Sequence, residues 1–243
     1  MAVYNAPLND MRFILNDVFR AHEFWQSTDK LAHVDMDTVD MILEEMARLS
    51  KNVLLPINRS GDEEGATFEG DGVVTTPTGF KEAYKQYAES GWVGLSGDPE
   101  YGGQGFPKMV TMLTEEMIFT TNQSFALYPN LTVGATLCMN AAASEEQKET
   151  YLEKMYAGEW SGTMCLTEPH AGTDLGIIKT KLCLTMMVVI TSLVLKSLSL
   201  AASMTSLIIS FIWYWPKRQT RQKVQKVFLC LSCLNSWSMK MAA

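Results

Sequence analysis

A chain of 243 residues with 47% hydrophobic content is long enough for one large domain or two ordinary ones around a buried core. Its net charge of −7 at pH 7 offers no basic footprint for nucleic acid. The average hides a boundary: all 27 Asp and Glu, all 16 Gly and all 3 His fall in residues 1–181 with 13 of the Lys and Arg, whereas 182–243 holds 7 basic residues and none of the others.

The first 25 residues place Phe13, Ile14, Val18 and Phe19 at roughly helical spacing, which predicts a short amphipathic helix. A second helix is expected from Asp35, with Met36, Val39, Ile42, Leu43, Met46, Leu49 and Val53 on its core face, ending before Pro56. Residues 58–78 are polar and rich in Gly, Asp and Glu, and read as a long excursion. Phe80, Ala83, Tyr84, Tyr87 and Ala88 repeat at helical intervals, and Gly91 supplies the stop.

Residues 91–105 form a glycine-rich loop that leads to Pro107, a favoured residue for a helix start, and lacks the Lys-Ser/Thr of a phosphate-binding P-loop. A helix follows over 109–121, and its Met109, Val110, Met112, Leu113, Met117 and Phe119 suit either a core or a bound apolar chain. Residues 130–143 read as a tightly packed helix, and Ser144 with Gln147 matches a capping box that starts another. Cys138 and Cys165, with no early apolar leader, make a reducing cytoplasmic compartment the expectation. Cys230 and Cys233 form a C-x-x-C without a second ligand pair, so no metal site is expected.

The stretch 165–176, Cys-Leu-Thr-Glu-Pro-His-Ala-Gly-Thr-Asp-Leu-Gly, carries two hydroxyls, two carboxylates and two glycines, a composition suited to a loop that meets a polar ligand. It resembles the N-terminal signature of the acyl-CoA dehydrogenase flavoproteins, departing from it at His170 and Ile177. The opening residues are similar to the extension of a bacterial subset that includes 3-methylmercaptopropionyl-CoA dehydrogenases. The resemblance implies a mainly α fold, with an N-terminal α-helical domain and the start of a middle β-domain. It divides the chain into an extension over 1–30, the helical domain over 31–160, the first strand and flavin loop over 161–181, and an aberrant tail over 182–243.

In such enzymes a carboxylate removes the α-proton of an acyl-CoA while a hydride leaves the β-carbon for FAD, giving a trans-2-enoyl thioester. By resemblance, Met164, Cys165, Leu166, Thr167 and Thr173 contact the FAD, with the Leu166 backbone and the Thr167 hydroxyl at the flavin's polar edge. The acyl tunnel is expected alongside the 109–121 helix. Glu168 belongs to the architecture of the loop, His170 faces solvent, and no residue here is assigned as the catalytic base, which in the family comes from a C-terminal helical domain. An electron-transferring flavoprotein as acceptor, and a homo-oligomer, are implied in the same way.

Residues 182–215 form an apolar run with Lys196 as its one charge, closed by Trp213, Tyr214 and Trp215 and a basic flank, which would suit a membrane-spanning anchor. Average usage would put about seven acidic residues and about four Gly in 182–243, and their loss continues past the apolar run, which an anchor does not require. A frame change near Lys181 accounts for both: regrouping allowed codons of residues 189–202 by one base permits YNITGTKIFITG, which looks like the family's β-domain. A frameshifted dehydrogenase without activity is therefore the expectation, and a membrane-anchored helical module the alternative.

Overall fold

Helix α3 (Met36–Leu49) opens where Asp35 caps it: the carboxylate accepts from the Thr38 amide at 2.8 Å and from its hydroxyl at 2.7 Å. Those two hydrogen bonds, the hydroxyl's first, hold the Asp35 carboxyl below the ordinary carboxylate range. A depressed folded-state pKa adds stability above the unfolded-state value, and that stability is lost as pH falls through the folded one. Asp35→Asn is expected to flatten the slope of stability against pH below about pH 4, read from urea melts at stepped pH.

The computed structural model describes residues 3–70, 73–164, 168–177, 182–184, 190–192, 208–212 and 228–230. Val39, Leu43, Met46 and Leu49 of α3 are buried, the stripe expected from their spacing. The helix does not end before Pro56. A π-helical turn over Ser50–Leu54 carries it into α4 (Leu55–Glu64), where Pro56 sits in the first turn and its missing N–H leaves no bond unmade.

Helix α4 therefore occupies the start of the supposed polar excursion, and a hairpin of β1 (Thr67–Gly70) and β2 (Val73–Thr75) follows. The apolar pattern missed α4 because its buried position is a glycine. Gly61 lies under the Phe80 ring, and a Cβ there would come within 2.3 Å of Phe80 Cε2.

The N-terminal face is also corrected. Helix α1 (Leu8–Phe13) runs into a π turn, Ile14–Val18, and buries Met11 and Leu15, while Phe13 and Phe19 stay 58% and 60% exposed. Arg12 decides the orientation, reaching Asp40 at 2.9 Å and Glu44 at 2.6 Å on α3. Helix α2 (Ala21–Gln26) then buries Trp25.

Helix α5 (Phe80–Glu89) buries Ala83 and Tyr87, and the chain leaves it at Gly91 with φ 77°. The glycine-rich loop makes two 3₁₀ turns, Trp92–Gly94 and Pro99–Tyr101. Helix α6 (Lys108–Thr121) follows, then α7 (Gln123–Ala142) and α8 (Glu145–Tyr156). The expected capping box is present, with Gln147 N to Ser144 Oγ at 3.3 Å and Ser144 N to Gln147 Oε1 at 3.0 Å.

Helix α7 starts at Gln123 and not at 130, and takes Pro129 inside it. Buried Asn122 fixes that start by accepting from Phe125 N at 3.0 Å while donating to Leu54 O at 3.2 Å. The main core gathers side chains from α1 through α7. A smaller cluster of Ala135, Met139, Leu152, Met155 and Tyr156 lies between α7 and α8.

Beyond α8, β3 (Ser161–Met164) pairs in parallel with β6 (Ile208–Ile212), itself antiparallel to β7 (Phe228–Cys230). Strands β4 (Leu182–Leu184) and β5 (Ile190–Ser192) form an antiparallel pair. Among the described residues no helix is long and apolar enough to cross a membrane, and those described within 182–215 are strand.

Candidate functional site

Strand β3 is seated on α7, and the seat is made of hydroxyls and small residues. Gly162 N donates to Thr132 Oγ1 at 3.1 Å, and a Cβ on Gly162 would lie 2.4 Å from Ala135 Cβ. The Tyr128 hydroxyl is hydrogen-bonded to buried Ser161, and the Tyr128 ring meets Tyr84 edge-on at 4.8 Å.

Tyr84 donates to Gly158 O at 3.0 Å at the turn before the strand; burial, then the neighbouring Tyr128, pushes its phenol well above the ordinary range. Trp160 is held by Tyr151 at 5.7 Å and by the Lys154 ammonium at 4.4 Å over its ring. The segment entering the loop is thus fixed from the helical side. Thr163, 1% exposed, has a hydroxyl with no hydrogen-bond partner.

The loop that follows is a tight reversal. Glu168 and Ala171 exchange both backbone bonds at 3.0 Å, the Glu168 side chain is buried, and His170 Nε2 lies 3.4 Å from its Oε2 and 3.3 Å from Ile177 O. Asp174 turns back on Gly176 N at 2.8 Å ahead of a 3₁₀ turn, Leu175–Ile177. Glu168 has the interior position expected of a residue that shapes the loop. His170, read as facing solvent, is exposed at its ring yet packs back over that carboxylate.

Of the five expected flavin contacts, Thr173 lies exposed on this reversal and Met164 ends β3. Cys165, Leu166 and Thr167 lie outside the described residues.

A closed cavity of about 30 Å³ lies between α6, α7 and the 92–96 turn, lined among others by Trp92, Thr114, Ile118, Phe119, Pro129 and Val133. Burial of Tyr87 at this cavity raises its phenol above the ordinary range, so it stays a neutral hydroxyl. Of the α6 residues singled out in the sequence, Phe119 lines the cavity, Val110 and Met117 are buried in the core, and Met112 points out. The α7 contribution, Pro129 and Val133 included, was missed; Pro129 ahead of a small-residue run was the available signal.

Residues 36–159 match the acyl-CoA dehydrogenase N-terminal domain family. The 3-methylmercaptopropionyl-CoA dehydrogenase of Ruegeria pomeroyi is 37% identical over 72% of this chain and 30% of its own length. A butyryl-CoA dehydrogenase of Syntrophomonas wolfei is 33% identical over 69% of this chain and 29% of its own. The chain therefore spans about three tenths of the curated relatives it matches.

Among solved structures, the acyl-CoA dehydrogenase of Bacillus anthracis complexed with FAD superposes with a TM-score of 0.59 at 24% identity, over 73% of this chain and 29% of that one. The shared fold, the family match over the helical part and the signature hung from β3 agree: the chain belongs to the acyl-CoA dehydrogenase family.

Proposed function

We propose that this chain forms the helical wall and flavin loop of an FAD-dependent acyl-CoA dehydrogenase, and that alone it has little or no dehydrogenase activity. The observation that carries the reading is the seating of β3 on α7, which brings the signature loop to the helical layer that encloses the α6–α7 cavity. Support for FAD comes from the donor set. The buried Thr163 hydroxyl lacks a partner, and Thr173 stands exposed beside Gly172 at the reversal.

In this assignment Met164, Cys165, Leu166, Thr167 and Thr173 hold the cofactor, which when bound accepts the hydride from the substrate β-carbon. The chain's own part is to orient and to exclude water. Tyr128, Thr132 and Gly162 fix the strand, while α6 and α7 receive the acyl chain. Neither Glu168, buried beneath His170, nor Glu115, which pairs with Lys108 at 2.5 Å, is proposed as the base.

Acyl-CoA is the substrate, an electron-transferring flavoprotein the acceptor, and a homo-oligomer the working state of the longer enzyme. Residues 182–243 are read as sequence from a shifted frame. The absence of acidic residues and glycine there supports this better than an anchor does.

Butyryl-CoA is expected to bind the purified chain by titration calorimetry, without measurable turnover in the presence of FAD and a dye acceptor. Stoichiometric copurifying flavin with turnover would overturn the assigned inactivity, and no thioester binding to a cooperatively melting chain would overturn the assignment itself. Sequencing the encoding DNA beyond Lys181 tests the frame separately; an intact, membrane-extracted tail would favour the anchor.

A further inference from the structure

Trp92 and Leu95 line two cavities at once. One is the closed cavity of about 30 Å³ between α6 and α7. The other is an open cleft of about 550 Å³ between α3, α5 and the glycine-rich loop, with Met41, Ile42, Leu49 and Val53 on its apolar side. The indole of Trp92 and the side chain of Leu95 stand between a space that admits little more than a methyl group and one large enough for a long alkyl chain.

The backbone carrying this partition is fixed. Gly91 adopts φ 77°, and its carbonyl accepts from Gln104 Nε2 at 2.8 Å. Gly94 lies against Tyr156, where a Cβ would meet Tyr156 Cβ at 3.1 Å and its carbonyl oxygen at 3.2 Å. Leu95 is buried, whereas Trp92 is half-buried with the open cleft on one side. The turn is held and the indole is its replaceable plug.

The geometry points to Trp92, backed by Leu95, as the residue that sets the length of acyl chain admitted, by closing the α6–α7 cavity off from the α3–α5 cleft. The inference rests on the reading of the α6–α7 cavity as the acyl site. With the indole in place the chain ends at the partition. With it removed, the two spaces join and further methylenes enter an apolar groove, each contributing roughly fourfold in affinity when fully buried.

The test uses the full chain and titration calorimetry with butyryl-, octanoyl- and dodecanoyl-CoA, with thermal melts to confirm folding. Wild type is expected to prefer butyryl-CoA. Trp92→Ala is expected to bind dodecanoyl-CoA at least tenfold more tightly than wild type does, with butyryl-CoA changed less than about threefold.

Trp92→Leu, which keeps a smaller apolar plug and the fold if alanine does not, is expected to fall between. A folded variant with an unchanged chain-length profile overturns the partition and leaves the functional reading standing, as does wild type that takes dodecanoyl-CoA as readily as butyryl-CoA. Failure of every thioester on well-folded wild type and variants removes the acyl-site reading, and the partition with it.

Discussion

Replacing Asn122 with alanine is expected to destabilise the fold by about 2–4 kcal/mol, from about 1 kcal/mol for a lost N-cap and about 1–3 kcal/mol for a buried carbonyl left without its donor. The residue is fully buried between α6 and α7, where one side chain serves both ends of its amide. Its oxygen takes the Phe125 amide at the start of α7, and its nitrogen satisfies Leu54 O at the end of the π turn that joins α3 to α4.

Asn122→Ser separates the two contributions. Serine can cap α7 but is too short to serve Leu54, so it is expected to recover only the smaller part of the loss. Urea melts of the three proteins measure this, and alanine within 0.5 kcal/mol of wild type would remove the double role assigned to Asn122.

Gly162→Ala is expected to cost about 1–3 kcal/mol, because the new methyl would sit 2.4 Å from Ala135 Cβ in a site closed on the other side by Met155. The compensating change is Ala135→Gly, which removes the opposing carbon at a helix-propensity cost of about 1 kcal/mol. If the strand is held by this close approach, the double variant is more stable than the sum of the single losses predicts. Hydrogen exchange of the 161–164 amides locates the effect, since Gly162→Ala should speed exchange in β3 before it touches α3. Additive losses, or unchanged exchange in β3, would refute the seat.

The parts of this fold legible in the sequence are those where a local pattern and a tertiary role coincide. The α3 stripe from Val39 to Leu49, the Gly91 stop and the Ser144–Gln147 box are each settled within a few residues. Misreadings arose where a distant partner decides. Gly61 hides α4 because its neighbour Phe80 supplies the apolar bulk, and Pro56 reads as a helix stop unless the preceding π turn is known.

Phe13, Ile14, Val18 and Phe19 share a face, but Arg12 and the acidic residues of α3 choose the opposite one for the interior. At the site, the signature named the loop and its glycines, and Glu168 lies inside as that reading required. Thr132 and Tyr128, which hold the strand, were invisible because their partners lie about thirty residues away.

The seat for β3 also bears on the order in which the molecule assembles. Tyr128, Thr132 and Ala135 lie on one helix that is synthesised before the strand it receives, and both helices flanking the seat are capped locally by Asn122 and Ser144. Chains fold from the N-terminal end as they emerge. The helical layer can thus be complete and waiting when residue 161 appears, so the first strand docks onto a finished surface instead of searching for a sheet. A helical layer that assembles in this order does not depend on the sequence that follows, and changes after the strand leave it a folded platform.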